Sequence, residues 1–359
     1  MNTSEHSPAT PPASATDGVI DYPARDMTIT VGAAMPCSRL LRILQQEGQT
    51  LPIDTASEDT TVGDMVLQDQ CGPRQFGYGT LRDYVIGIAA VDGHGRLFHA
   101  GGRVVKNVAG YDLCRLLTGS NGKLGQLLHV TFKVRPLPAT QQLIIAGFRT
   151  LQHLEKALNT LNTTAATPVI LDVAGRPALP AILKTQALLP THDSSHLDVA
   201  AVLLIGFDGP ADACQWQIHT VTDELAELPA WIHTALPANA FQQWLQIARL
   251  YCFPTDNPPW LASITTPPSQ VCAVLDAMNR LHCCTCGRAG NGRLWCWPAP
   301  PDENQPATDE ASGFAALQQL TANGPGCVQV LHARSATPTP AHPAVRNYTT
   351  RLQHALGTH

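Results

Sequence analysis

Between Gly101 and Gly125 the chain reads GGRVVKNVAGYDLCRLLTGSNGKLG, with six glycines set among Lys106, Asn107 and Lys123. Glycine lets a backbone approach a ligand closely and adopt positive φ. Amides and cations in such a stretch suit a pyrophosphate. The chemistry open to it is to hold a cofactor's pyrophosphate or ring against the main chain. A turn-rich loop with no ligand fits the same composition. The stretch is not a standard phosphate loop, because Gly119–Leu124 lacks both the spacing and the Ser/Thr that must follow the Lys. No G-x-G-x-x-G follows a strand and opens a helix, which disfavours a Rossmann fold.

A second cluster is His282, Cys283, Cys284 and Cys286, with Cys296 ten residues beyond the last. Cys283 and Cys286 form a C-x-x-C pair, half of a metal site. A strand with buried thiols is the plainer reading. A redox pair needs a helix N-terminus to lower its thiol pKa, and Cys286-Gly287 does not read as one. No metal site is expected. The sequence contains no G-x-S-x-G and no H-E-x-x-H, and no residue stands out as acid, base or nucleophile.

These residues must be positioned by elements. Residues 1–20, rich in Pro, Ser and Thr, read as a disordered leader. Met27–Ala34 alternates like a strand, Pro36 suits a helix start, and Gly48 suits its stop. Residues 63–82 read as a loop dominated by its backbone. Val85–Val91 and Arg96–Ala100 form a hairpin whose Asp92-Gly93 supplies the positive φ. Tyr111–Leu117 reads as a short helix and Leu124–Val134 as a long strand, ended by Arg135-Pro136-Leu137-Pro138. A domain boundary follows, giving a first domain over 21–138 and a second over 139–335. In the second, strands and helices alternate in two similar passes, which predicts an α+β sandwich of the ferredoxin-like kind. Residues 336–359 read as a linker and a last short helix. All six tryptophans lie in the second domain, where core packing is the plainer role and a ligand face the alternative.

The 359 residues are enough for two domains, and 44% are hydrophobic. A net charge of −5 argues against nucleic acid or an anionic membrane as partner. No apolar run approaches the roughly 18–20 residues of a membrane span. The start does not read as a signal peptide, and the odd count of 11 cysteines reads as reduced thiols, so a cytoplasmic protein is expected.

Gly101–Asp112 followed by Gly119–Gly125, with Cys71-Gly72-Pro73-Arg74 and Gly77–Asp83 upstream, resembles the FAD-binding family of the p-cresol methylhydroxylase/vanillyl-alcohol oxidase (PCMH) type. Within it the chain is similar to the branch of FAD-binding subunits of glycolate oxidase. Three separated blocks in the family's order make the resemblance specific over 21–138. It implies an α+β PCMH-type FAD-binding domain with its first subdomain missing, plus a cap domain. It places cofactor contacts on Gly72, Arg74, Gly77, Tyr78, Gly79 and Arg82, then on Lys106, Asn107, Gly110, Tyr111 and Asp112, then on Gly119, Gly122, Leu124 and Gly125. Alone, Arg74 and Arg82 also read as surface charges and Asp112 as a helix cap. The implied activity is oxidation of a small 2-hydroxy acid such as glycolate, or relay of its electrons to a catalytic flavoprotein subunit and an iron–sulfur subunit. The flavin carries the redox chemistry, so no protein acid or base is required by motif. Where the family has a small residue the chain has Asp64, whose carboxylate is expected to repel a pyrophosphate. That departure also fits a non-catalytic assembly subunit with weak FAD binding.

Overall fold

A computed structural model describes residues 17–55, 57–102, 111–180, 198–236, 238–252, 258–301, 307–322 and 326–333. The chain divides into two compact units. Among the described residues the first comprises 17–71 and Gly79–Leu137, and the second comprises Gly72–Tyr78 and 138–333.

The first unit is built on a five-stranded antiparallel sheet. Its strands are β1 (Val19–Asp21), β2 (Thr28–Gly32), β4 (Val85–Val91), β5 (Leu97–Gly101) and β6 (Gln126–Lys133), in the order β1-β2-β6-β4-β5. The alternation of β2 buries Ile29 and Val31 beside Val130 and Phe132 of β6. Helix α1 (Cys37–Gln46) buries Leu40 and Leu44 one turn apart. Pro36 is its cap rather than its first residue, and Gly48, at φ 64°, follows its end. Helix α2 (Val62–Leu67) lies against β2 and β6, and α4 (Leu113–Leu117) lies against β4 and β5.

Three local expectations change. The loop expected over 63–82 contains α2 and the single turn α3 (Gln75–Tyr78). The β4–β5 turn places its positive φ on Gly95, because the Asp92 carboxylate accepts the amides of His94 and Arg96 and fixes the turn from its first residue. Arg135–Pro136 ends the main sheet but pairs as β7 with β3 (Gln49–Thr50), which the proline permits because a two-residue edge needs few donors.

The second unit carries an eight-stranded antiparallel sheet. Its elements run β8 (Thr140–Phe148), α5 (Leu151–Leu161), β9 (Ile170–Gly175), β10 (Ala201–Gly209), α6 (Ala211–Leu225) and β11 (Trp231–His233). After helix α7 (Ala240–Cys252) the pattern repeats as β12 (Trp260–Thr265), α8 (Val271–Arg280), β13 (Cys283–Arg288), β14 (Arg293–Pro298), α9 (Glu310–Ala322) and β15 (Cys327–Ala333). The strand order is β11-β8-β10-β9-β13-β14-β12-β15. Each half is therefore a β-α-β-β-α-β repeat with its strands in the order fourth, first, third, second. The halves join where β9 pairs with β13. Helices α5, α6, α8 and α9 bury Leu154, Val221, Leu275 and Leu317 on one face of the sheet. On the other face α7 buries Phe241 and Trp244.

Candidate cofactor site

In the first unit Arg82 and the turn at 119–121 meet the end of α2, where the Gly119 and Asn121 amides donate to the Val66 and Leu67 carbonyls. The Arg82 guanidinium lies 3.4 Å from the Asp69 carboxylate and donates to the Thr118 carbonyl at 3.1 Å. Gly119 adopts φ 82°, a left-handed conformation that favours glycine, and a Cβ there would sit 3.1 Å from that guanidinium. Asn121 and Gly122 also adopt left-handed φ, at 51° and 75°. Gly125, at φ 149°, passes so near the Val91 carbonyl that a Cβ would stand 2.7 Å from it. Leu124 is buried. Asp112 caps α4 by accepting the Arg115 amide at 3.0 Å, and Tyr111 beside it is 96% exposed. Gly79 has φ 85° and leads into Thr80, whose amide and hydroxyl both donate to the Asp83 carboxylate. Burial alone raises the Asp83 pKa, but those two bonds, with Lys133 and Arg115, outweigh it and hold the carboxyl below its usual range. Lys106, Asn107 and Gly110 lie outside the described residues.

Gly72, Arg74, Gly77 and Tyr78 belong to the second unit. Gly72 and Arg74 are buried, which replaces the surface reading of Arg74. The Gly72 carbonyl accepts from Arg288 Nε at 2.9 Å. The Gly77 amide donates to the Val169 carbonyl, and a Cβ there would stand 2.6 Å from Val169 Cα. The Tyr78 hydroxyl donates to Asp208 Oδ1 at 2.6 Å. No sequence motif marked Asp208 or Arg288, because each acts through a partner remote in the chain.

The cysteine cluster separates by strand alternation. Cys283 and Cys296 face the core under α5 and α8, while Cys284 and Cys286 face the α7 side. Cys283 and Cys286 therefore cannot bind one ion together. Among the described residues no group of three or more His, Cys, Asp or Glu is placed to hold a metal.

Residues 13–101 match the family model described as an FAD binding domain. Glycolate oxidase subunit GlcD of Bacillus subtilis is 28% identical over 301 residues, covering 77% of this chain and 60% of the relative. Glycolate oxidase subunit GlcE of Escherichia coli is 39% identical over 123 residues, covering 34% of this chain and 35% of the relative. Among solved structures, an alkyldihydroxyacetonephosphate synthase superposes with TM-score 0.66 at 16% identity, over 95% of this chain and 65% of that one. The likeness to the synthase is one of fold. The matches span less than two thirds of each of these proteins.

The first-unit residues suit an anionic cofactor in part. The Ser120 hydroxyl is buried with no hydrogen-bond partner among the described residues, and Arg82 and the exposed Tyr111 ring offer a cation and a stacking surface. The amides of Gly119, Ser120, Asn121 and Lys123 are already given to protein carbonyls, which leaves the Gly122 amide as the turn's unengaged donor among the described residues.

Proposed function

We propose that this chain is an FAD-binding oxidoreductase subunit that oxidises a small 2-hydroxy acid such as glycolate, or relays its electrons within a complex holding a catalytic flavoprotein subunit and an iron–sulfur subunit. The observation that carries the reading is the FAD-binding-domain match over 13–101, joined to similarity with two glycolate oxidase subunits. The flavin, when bound, supplies the two-electron acceptor. The residues assigned to hold it are Gly72, Arg74, Gly77, Tyr78, Gly79, Arg82, Lys106, Asn107, Gly110, Tyr111, Asp112, Gly119, Gly122, Leu124 and Gly125. Arg82 keeps a cation near the turn while Asp69 and the Thr118 carbonyl fix its direction. The Ser120 hydroxyl and Gly122 amide donate to anionic oxygen, and the Tyr111 ring packs on a flat group. The second unit is read as a ferredoxin-like cap domain, a reading supported by the strand order of its two repeats. Free thiols at all ten described cysteines support a reducing compartment such as the cytoplasm.

One observation favours a second reading, an assembly subunit that binds FAD weakly. The turn that the resemblance offers to a pyrophosphate spends four amides on its own protein. An absorbance spectrum of the purified chain, taken after adding FAD and desalting, separates the two. A retained visible flavin band that bleaches when glycolate is added anaerobically is the expected result. A colourless protein that releases all added FAD overturns the enzyme reading and leaves the assembly subunit.

A further inference from the structure

The glycine-proline-arginine block Gly72–Tyr78 groups with the second unit, although the chain on both sides of it belongs to the first. Gly72–Tyr78 leaves the first unit after Cys71, joins the second, and returns at Gly79. Four contacts fix it there. Arg288 of β13 donates from Nε to the Gly72 carbonyl across 216 positions of sequence. Phe76 lies against Gly290, where a Cβ would stand 2.2 Å from the ring. The Gly77 amide donates to Val169, and the Tyr78 hydroxyl donates to Asp208 of β10.

The Arg288 anchor is itself rigidly built. Its side chain is 2% exposed, and its guanidinium carbon lies 4.5 Å from the centre of the Trp295 ring. Across the β9–β13 pair it stands in register with Asp172, which is 1% exposed and accepts from Trp244 Nε1 at 3.0 Å. A guanidinium enclosed this way has few alternative rotamers, so the carbonyl it grips is placed accurately.

We propose that Arg288 and Asp208 are positioning residues for the cofactor segment Gly72–Tyr78, so that FAD affinity is set in part from strands β13 and β10 of the second unit. The inference rests on the FAD reading above. Arg288 and Asp208 act through the strap and are not assigned contacts with the flavin.

The experiment uses the full chain with two readouts. The first is amide hydrogen exchange across 72–78 without FAD. The second is FAD affinity and the absorption maximum of the bound flavin. Arg288→Met and Asp208→Ala are each expected to speed exchange at Gly77 and Tyr78 and to weaken FAD about tenfold or more, the scale of a lost charge-assisted bond. They are also expected to shift the bound-flavin maximum, and Arg288→Lys, which keeps a cation but not the stacked Nε donor, is expected to restore only part of the affinity. Leu225→Ala, in the core of α6, is the control. It should lower the melting temperature without changing strap exchange or flavin affinity. Should Arg288→Met fail to fold, Asp208→Ala carries the test at a position that is only half-buried.

Unchanged exchange across 72–78 in the folded variants overturns the proposal whatever the flavin does. Faster exchange with unchanged FAD affinity also overturns it, since the strap would then be structural only. Equal loss of FAD affinity in Leu225→Ala does the same. A wild-type chain that binds no FAD while exchange responds as expected overturns the FAD reading, and with it the cofactor role assigned to the anchor.

Discussion

At Asp64 family pattern and local physics give opposite accounts of one carboxylate. By resemblance it stands where a small residue is usual, and its charge is expected to repel a pyrophosphate. In the structure it is exposed in the first turn of α2, accepts the Thr61 hydroxyl at 2.7 Å, and gives its amide to the same Thr61 oxygen at 3.1 Å. A carboxylate there satisfies the cap and faces the positive end of a short helix. The exposed charge is screened by water and salt. Asp64→Gly should therefore lower stability by about 1 kcal/mol, from the lost carboxylate acceptor of the Thr61 hydroxyl and the added backbone freedom. Urea unfolding followed by circular dichroism measures this. FAD affinity should stay within about threefold, because a charge facing water interacts weakly. A tenfold gain in affinity would show that the carboxylate faces the cofactor after all.

Elements were legible where one period ruled over a long stretch. Leu151–Leu161 reads as a helix because Leu154, Leu158 and Leu161 recur on one face, and Val85–Val91 reads as a strand because its residues are β-branched or small. Helix α9 carries a weak sequence signal, because Gly313 and Ser312 lower its intrinsic propensity. The glycine is needed for a tertiary reason, since a Cβ at 313 would stand 2.4 Å from the Trp260 ring. The helices α2 and α3 were hidden by their length and by flanking glycines. At the candidate site the glycines that turn the chain at 119 and 122 could be read from sequence. The transfer of Gly72–Tyr78 to the second unit could not, because its anchor at Arg288 lies far along the chain. The Trp260 contact also gives a test of the second repeat. Trp260 is fully buried, donates to the Thr308 carbonyl at 3.2 Å and meets Phe314 of α9 edge-on at 5.4 Å. Trp260→Ala should lower stability by about 3–5 kcal/mol through the cavity and the lost anchor of α9. A loss under about 1 kcal/mol, measured by denaturant unfolding, would mean that α9 does not depend on that ring.

At the scale of the whole molecule, the buried thiols give the two units a shared pH limit. Burial raises Cys284 and Cys296 from the ordinary 9.0 to about 12, and Cys272 and Cys283 to about 11, all in the second unit. In the first unit burial raises Cys37 to about 12 and Cys114 to about 11. A thiol with a raised pKa when folded keeps its proton after the unfolded chain has lost it. Between pH 9 and about 12 the unfolded state therefore binds fewer protons, and stability falls as pH rises. Below pH 9 this contribution is fully present. The tryptophans all lie beyond Pro138, so their fluorescence reports the second unit alone. The urea midpoint followed by tryptophan emission should hold steady from pH 7 to 8.5 and decline steadily toward pH 10.5. Lysine and tyrosine also titrate there, so a chain carrying Cys283→Ala and Cys284→Ala is the necessary comparison. Its midpoint should start lower, through the lost packing, and decline less steeply, because two of the groups that create the proton difference are gone. Parallel slopes in the two chains would show that these thiols ionise in the folded protein as readily as in the unfolded one, against their burial on both faces of the eight-stranded sheet.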